Sequence, residues 1–273
     1  MVQFNPDTIQ SNIFVHLDSN NAETSIKSNH KIFKLNNAIE SIGDNKIVVS
    51  LLDSIIPHSF YNITSLNNTF IFNNGSADIT YNIDIGYYTI NQLLSQIQSF
   101  LRSGAAYNDD NCSVTIVEYT HKIKIEVPAG QVISIKNGLV NNIIGFEESE
   151  SSFTKQLATN VYNVNHTTDL KVKLLNITNQ NLDSLGRKED TLCRIPINNT
   201  FGSYIHYHDD GRHNVLDTNY INKLEILITD EDNNDIDFNG LPFKLSLAFH
   251  FIKPKSHKFI PLTERLNFKS ENE

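Results

Sequence analysis

The chain has 273 residues, and its excess of acidic over basic side chains gives a formal net charge of −9 at pH 7. This charge argues against a broad nucleic-acid-binding surface, because such surfaces bind phosphates mainly through lysine and arginine. The 16 phenylalanines and 10 tyrosines favour sheets over helices in a chain long enough to bury a large core.

The N-terminal part of the chain shows strand patterns separated by polar segments. Met1–Gln10 is polar, contains a proline and is predicted to be an arm. Asn12–Asp18 places apolar residues at alternate positions and is predicted as a strand. Ser19–Ser28 is predicted as a loop and Lys31–Leu35 as a second strand, and we expect Asn36–Gly43 to form a loop or a short helical turn.

Lys46–Ile56 has apolar residues on both faces, which predicts a central strand covered on both sides. Pro57 lacks a backbone donor and should end its pairing. Thr69–Phe72 and Ile79–Ile85 flank a turn at Gly75, which together predict a β-hairpin.

The middle of the chain carries the two helix patterns. Ile90–Leu101 has leucine and isoleucine at helical spacing after Thr89, a suitable N-cap, and Asn137–Gly145 predicts a second, short helix that Gly145 ends. Alternating segments from Ser113 to Ile135 predict strands between them. Glu147–Thr154 is acidic and serine-rich, so we expect an exposed loop or a boundary.

The C-terminal part again favours strands. The predicted ones are Val161–Val164, Leu170–Ile177, Leu192–Ile197 at a sheet edge, and the shorter Tyr204–Tyr207 and Val215–Leu216. Leu224–Ile228 and Leu241–Ile252 alternate strongly and predict an amphipathic hairpin within one sheet, closed by the turn Asp230–Asp237. Lys253–Glu273 is predicted to be a second arm.

Many short strands bounded by turn residues indicate a mainly-β protein with a single jelly-roll β-sandwich. We assign residues 1–84 and 151–273 to the sandwich with its terminal arms. Residues 85–150 are predicted to be an insertion with two short helices and β-hairpin strands. Cys112 and Cys193 lie in no metal or redox spacing, and we expect two reduced, buried thiols.

The N-terminal residues lack the pattern of a signal peptide, and no segment has the length and apolarity of a membrane-spanning helix. We therefore expect synthesis in a cytoplasm and no membrane span. Motifs for nucleophilic catalysis, for phosphate-binding loops and for zinc proteases are absent from the sequence. The sequence thus predicts no catalytic, cofactor-binding or metal-binding residue and no cofactor, and it does not indicate an enzyme.

Two polar clusters invite a metal-site interpretation. His206 and His208 would share one face of a strand near Asp209 and His213, as in a cupin-like site, but the third distant ligand is not identifiable and a surface cluster is favoured. Asp230–Asp237 has the composition of a calcium loop. It departs from the helical calcium-loop pattern at the glycine and glutamate positions, so a solvated turn is favoured.

Several segments, in the order in which they occur, resemble the penton (minor capsid) proteins of virophages and related Maverick/Polinton-type viruses, above all those of Mavirus type. The segments are Ser54–Ile63, Asn67–Phe70, Ile85–Ile90 with the helix after it, Ile144–Phe146, Ile226–Asp230, Ile236–Gly240 and Pro242–Phe243. The resemblance runs, with gaps, from about residue 10 to residue 252.

The resemblance implies a structural protein of the virion, made in the host cytoplasm, whose homopentamers fill the vertices of an icosahedral capsid. Its implied partners are further copies of itself and a double-jelly-roll major capsid protein, with a host receptor as an additional candidate. Two alternatives stay open. One is a glycan- or receptor-binding β-sandwich, and the other is a cupin-like metal-dependent enzyme that uses His206 and His208.

Overall fold

The structure, a computed structural model, describes residues 9–148, 152–165, 167–177, 190–208 and 213–253. These residues contain sixteen strands and two α-helices. In chain order the strands are β1 (Ile9–Asp18), β2 (Thr24–Lys27), β3 (His30–Glu40), β4 (Lys46–Pro57), β5 (Thr69–Asn73), β6 (Asp78–Asn82), β7 (Ser113–Val117), β8 (Lys122–Glu126), β9 (Ser134–Ile135), β10 (Lys155–Leu157), β11 (Asp169–Leu174), β12 (Thr191–Pro196), β13 (Tyr204–His208), β14 (Asn214–Val215), β15 (Tyr220–Asp230) and β16 (Lys244–Ile252). The helices are α1 (Ile90–Arg102) and α2 (Leu139–Ile143).

The strands outside the middle of the chain form a jelly roll. One sheet has the order β1-β16-β4-β13, with β14 pairing along the same side of β4, and the other has the order β12-β11-β15-β3-β2. If β13 and β14 count as one interrupted strand and the short β2 is set aside, eight antiparallel strands remain. In chain order they are arranged 1-8-3-6 in one sheet and 2-7-4-5 in the other, which is the double Greek key of a jelly roll. The predicted fold class is confirmed.

The core of this sandwich follows from alternation along its strands. Leu245, Leu247, Phe249 and Phe251 of β16 are buried on one face, as their period-two spacing predicts. In β4, neighbouring residues on both faces are buried, and the strand lies between β16 and the β13–β14 edge. The prediction of a central strand that ends at Pro57 is confirmed.

The predicted hairpin of Leu224–Ile228 with Leu241–Ile252 is wrong, because β15 and β16 belong to different sheets. β15 pairs with β3 and β11, whereas β16 pairs with β1 and β4. Residues 231–243 cross from one sheet to the other, and Phe238 and Phe243 are fully buried at that crossing. Two strongly amphipathic neighbours in sequence therefore pack face to face instead of edge to edge.

A second hydrophobic cluster is formed by the part of the chain that follows β4 and precedes β11 in the sequence. It contains two small sheets, ordered β6-β5-β9 and β10-β8-β7, together with both helices. In α1, Thr89 and Gln92 form the reciprocal capping box expected of a stable helix start, and the apolar face is buried. Residues of this cluster run from Ile63 to Val164, whereas the jelly-roll cluster uses residues up to Phe60 and from Leu170 onward. We propose that the inserted unit extends to these limits, beyond the predicted 85–150.

Other element predictions need correction. The predicted loop Ser19–Ser28 contains a short 3-10 turn and β2, and β3 continues to Glu40 through the segment predicted as loop or helical turn. Pairing of Glu40 with Tyr220 and of Ile39 with Ile221 overrides the weak strand propensity of the asparagines there. No strand occurs at Val161–Val164, and the nearest one is β10.

Both cysteines are buried, and neither forms a disulfide bond within the described residues. Neither described helix has the length and apolarity needed to cross a lipid bilayer. Both predicted arms, apart from Ile9, Gln10 and Lys253, lie outside the described residues, as do parts of the predicted loop Glu147–Thr154.

Candidate functional site

The inserted unit is connected to one end of the jelly roll. At this end β1, β4, β12 and β15 finish and β3, β11, β13 and β16 begin, as the pairing of Asp18 with Lys244 and of Asp169 with Pro196 shows. The connections that meet there are residues 19–29, 58–168, 197–203 and 231–243. We refer to this region as the strand-end junction.

Side-chain hydrogen bonds fix the strand-end junction. Asn62 Nδ2 donates to the carbonyl of Tyr88 at 2.8 Å, and Asn62 Oδ1 accepts from the Tyr88 backbone N–H at 2.8 Å. Ser59 Oγ donates to the carbonyl of Phe238 at 2.7 Å, and Asn239 Nδ2 donates to the carbonyl of Ser59. Residues from three of the segments that carry the family resemblance are therefore bonded to one another here.

Aromatic rings pack around His58 at this junction. Tyr87 and Phe201 stack at a centroid distance of 4.0 Å and an interplanar angle of 15°. The His58 ring lies 4.8 Å from Phe60 and contacts Tyr87 and Phe201 edge-on at 6.2 and 6.1 Å. Rings from two of the connections, residues 58–168 and 197–203, thus form one wall.

A cavity of about 170 Å³ opens beside this wall. Its lining combines aromatic rings with amide and hydroxyl side chains: His58, Phe60, Tyr61, Asn62, Tyr87, Asn165, Thr167, Thr168, Ile197 and Asn199. Among the described residues, no Asp, Glu, Lys or Arg lines it. We call it the junction cavity.

One flank of the jelly roll presents two sheet edges. β1 pairs only with β16 in the described chain, and β2 covers β3 only from His30 to Ile32, so the outer edges of β1 and of the rest of β3 carry no neighbouring strand there. A groove of about 620 Å³ lies between them, lined mainly by Val15–Asp18 and Phe33–Asn36. On β1, Ile13 is 38% exposed and Phe14 is 58% exposed. We call this side the β1 flank.

The opposite flank is formed by β13, β14 and β12. Asn214 Nδ2 of β14 donates to the carbonyl of Leu192 in β12 at 3.1 Å, which holds these two sheet edges together. Tyr204 of β13 is 48% exposed beside them. We call this side the β13 flank.

His206 and His208 lie on the exposed face of β13, as the alternation predicts, opposite Ile55 and Asp53 of β4. Asp209 lies outside the described residues. His213 contacts His250 with the ring planes at 82° and centroids 5.2 Å apart, and burial, followed by the charge of His213, lowers the pKa of His250. Within the described ranges, no three His, Cys, Asp or Glu side chains are placed to hold a metal ion. The sequence did not indicate that His250 contacts His213, because His250 lies on β16, which is distant in the sequence.

Two carboxylates of Asp230–Asp237, those of Asp230 and Asp235, make contacts within the fold. Asp230 Oδ1 accepts the backbone N–H groups of Asp232 and Asn234 at 2.9 and 2.7 Å. Asp235 pairs with Lys27, and this hydrogen bond is the main cause that lowers its pKa. The segment is a largely exposed turn, as predicted, but it belongs to the crossing between the sheets and does not join two strands of a hairpin.

No family model matches the chain. An uncharacterised protein of Acanthamoeba polyphaga mimivirus is 32% identical over 148 residues, which is 51% of this chain and 22% of that protein. The chain thus spans about a fifth of the length of this curated relative. The crystal structure of the selenomethionine-labelled mavirus penton protein has a TM-score of 0.53 and 12% identity to this chain, and covers 89% of this chain and 100% of its own. At that identity the likeness concerns the fold.

Proposed function

We propose that this chain is a minor capsid protein that forms the vertices of an icosahedral viral shell. The observation that carries the proposal is the jelly roll whose fold matches that of the mavirus penton protein over 89% of this chain. The mimivirus relative supports a viral origin. The sequence segments that resemble penton proteins imply the same function.

In this role the chain acts by shape and interface area, and it performs no chemistry. It is made in the host cytoplasm and then incorporated into the virion. His206 and His208, the basis of the metal-enzyme alternative, project from an exposed sheet face instead of lining a cleft. No described residue favours that alternative.

The two flanks suggest how copies pack into a ring. A cyclic pentamer needs two different, complementary surfaces on each copy, because its contacts are heterologous. The β1 flank, with its groove and exposed Phe14, and the β13 flank, with exposed Tyr204, are two such surfaces on opposite sides. We propose that the β1 flank of one copy packs against the β13 flank of the next.

The outer partner in this proposal is a double-jelly-roll major capsid protein that surrounds each vertex. The terminal segments, which lie outside the described residues, are proposed to bind it as arms. A host receptor is a further proposed partner, since vertices are exposed positions on a shell.

Co-assembly tests this function. The chain, co-expressed with the major capsid protein of the same genome, is expected to enter purified particles. Phe14→Asp should reduce its amount in particles by about tenfold or more, because a desolvated carboxylate in the interface lacks a partner. Quantitative mass spectrometry of the particles measures the effect.

Tyr119→Asp is the matched control, since this aromatic residue is 96% exposed in the inserted unit, away from both flanks. It should enter particles like the unchanged chain. Equal incorporation of both variants would reject the β1 flank as an interface. Absence of the unchanged chain from well-formed particles would reject the function.

A further inference from the structure

The junction cavity has the composition of a binding site for a neutral, polar ring. Its lining brings Tyr61 and Tyr87 together with the amides of Asn165 and Asn199 and with the hydroxyl of Thr167. Ligand sites typically combine aromatic walls with a few placed polar groups.

One buried group of the cavity lacks a partner. Asn199 Nδ2 is inaccessible to solvent and makes no hydrogen bond, while its Oδ1 lies 3.1 Å from Nδ1 of His58. Buried donors in native proteins are almost always bonded, so an orphan donor at a cavity indicates a missing acceptor. His58 is itself only 8% exposed, and its Nδ1 contacts both the side chain and the carbonyl of Asn199.

The absence of charge limits the ligand class. A nucleotide or a sialic acid carries an anionic group that proteins bind with arginine or lysine, and neither lines the cavity among the described residues. A lysine or arginine side chain would need a carboxylate, which is likewise absent from the lining. A neutral ligand rich in hydroxyl groups fits the amides, the threonines and the imidazole.

The volume of the junction cavity further restricts the class of ligand that can bind. The cavity of about 170 Å³ is smaller than the roughly 300 Å³ at which pockets for drug-sized ligands begin. It therefore has room for one ring and not for a chain of rings. A pyranose presents a face of C–H groups to an aromatic ring and a rim of hydroxyls to hydrogen-bonding side chains.

We propose that the junction cavity binds one neutral monosaccharide unit, such as the terminal residue of a surface glycan. The aromatic wall packs against the C–H face of the sugar, and the Asn199 amide rotates so that Nδ2 donates to a ring hydroxyl. The inserted unit contributes Tyr87, so the site exists only where this unit meets the jelly roll. This inference goes beyond the capsid role, because assembly into a shell does not require it.

The test is ligand-detected NMR with the full-length chain and a panel of neutral methyl glycosides of glucose, galactose, mannose, fucose and N-acetylglucosamine. At least one glycoside is expected to bind. Asn199→Leu should weaken its binding by about tenfold or more, because a sugar hydroxyl loses its donor. Tyr87→Leu, which removes the ring and keeps an apolar side chain, should weaken binding by a similar factor.

Asn198→Leu is the control, because Asn198 is an exposed neighbour outside the cavity lining. It should bind like the unchanged chain, and circular dichroism should show all variants folded. Binding of no glycoside, or equal losses from Asn198→Leu and Asn199→Leu, would overturn the proposal. Tighter binding of adenosine or sialic acid than of every neutral glycoside would also overturn it. None of these results would alter incorporation into particles, so the two proposals fail separately.

Discussion

Replacement of Phe249 by alanine is expected to lower the free energy of unfolding by about 3–5 kcal/mol, the usual cost of truncating a buried phenylalanine. Phe249 is fully buried and lies on β16, which pairs with β1 on one side and β4 on the other. It belongs to the same hydrophobic cluster as Ile226 of the opposite sheet. The cavity left by alanine would therefore sit between the two sheets.

Phe14→Ala provides the comparison, because Phe14 lies on the neighbouring strand β1 but is mostly exposed. Its loss should change the stability by no more than about 0.5 kcal/mol. Urea denaturation followed by circular dichroism measures both, which suits a chain without tryptophan. Similar losses in the two variants would mean that Phe249 does not pack between the sheets as described.

Gly145→Ala is expected to destabilise the inserted unit by about 2–5 kcal/mol. Gly145 follows α2 and has a φ of +86°. A residue with a side chain loses about 1–2 kcal/mol of stability in this left-handed conformation. An added Cβ would also lie 2.3 Å from the carbonyl oxygen of Asn160. The backbone N–H of Asn160 donates to the carbonyl of Gly145 at 2.9 Å, which holds the two segments together. Moving them apart to relieve the overlap should therefore cost about 1–3 kcal/mol more.

Gly130→Ala separates the two contributions. Gly130 has a φ of +85°, but an added Cβ would meet nothing within 4 Å. Its replacement should cost only the backbone part, about 1–2 kcal/mol. The same urea denaturation compares the two variants, and equal costs would show that the close approach of Asn160 to Gly145 is absent.

Local patterns predicted those parts of the fold that neighbours in sequence decide. The spacing of Leu93, Leu94, Ile97 and Leu101 predicted α1, and Thr89 its start, because helix hydrogen bonds and caps are local. The inward face of β16 followed from simple alternation. Pro57 marked the end of β4 for an equally local reason, the missing backbone donor.

Long-range pairing decided what the sequence did not reveal. Apolar and polar residues alternate in β15 and β16 in the same way whether the two strands pair in one sheet or face each other from two sheets. The sheet to which each strand belongs is decided by its pairing with β3 or β4, which are distant in the sequence. The extension of β3 to Glu40 depends on its pairing with Tyr220, 180 positions away in the sequence. Asparagine-rich strands of this kind carry little local signal.

The candidate site was the least predictable part. Its lining residues come from the connections after β4, before α1, before β11 and after β12, and no spacing in the sequence joins them. The histidines were found from their alternation, but the contact of His213 with His250 involves a strand that no motif linked to them. A buried Asn199 donor is recognisable only from three-dimensional packing.

Electron cryomicroscopy of particles assembled from this chain and its major capsid protein tests the central proposal most directly. We expect jelly-roll density for a pentamer of this chain at the fivefold vertices, with the β1 flank of each copy against the β13 flank of the next. Particles with vertices built from another protein, or with this chain at positions other than the vertices, would contradict it.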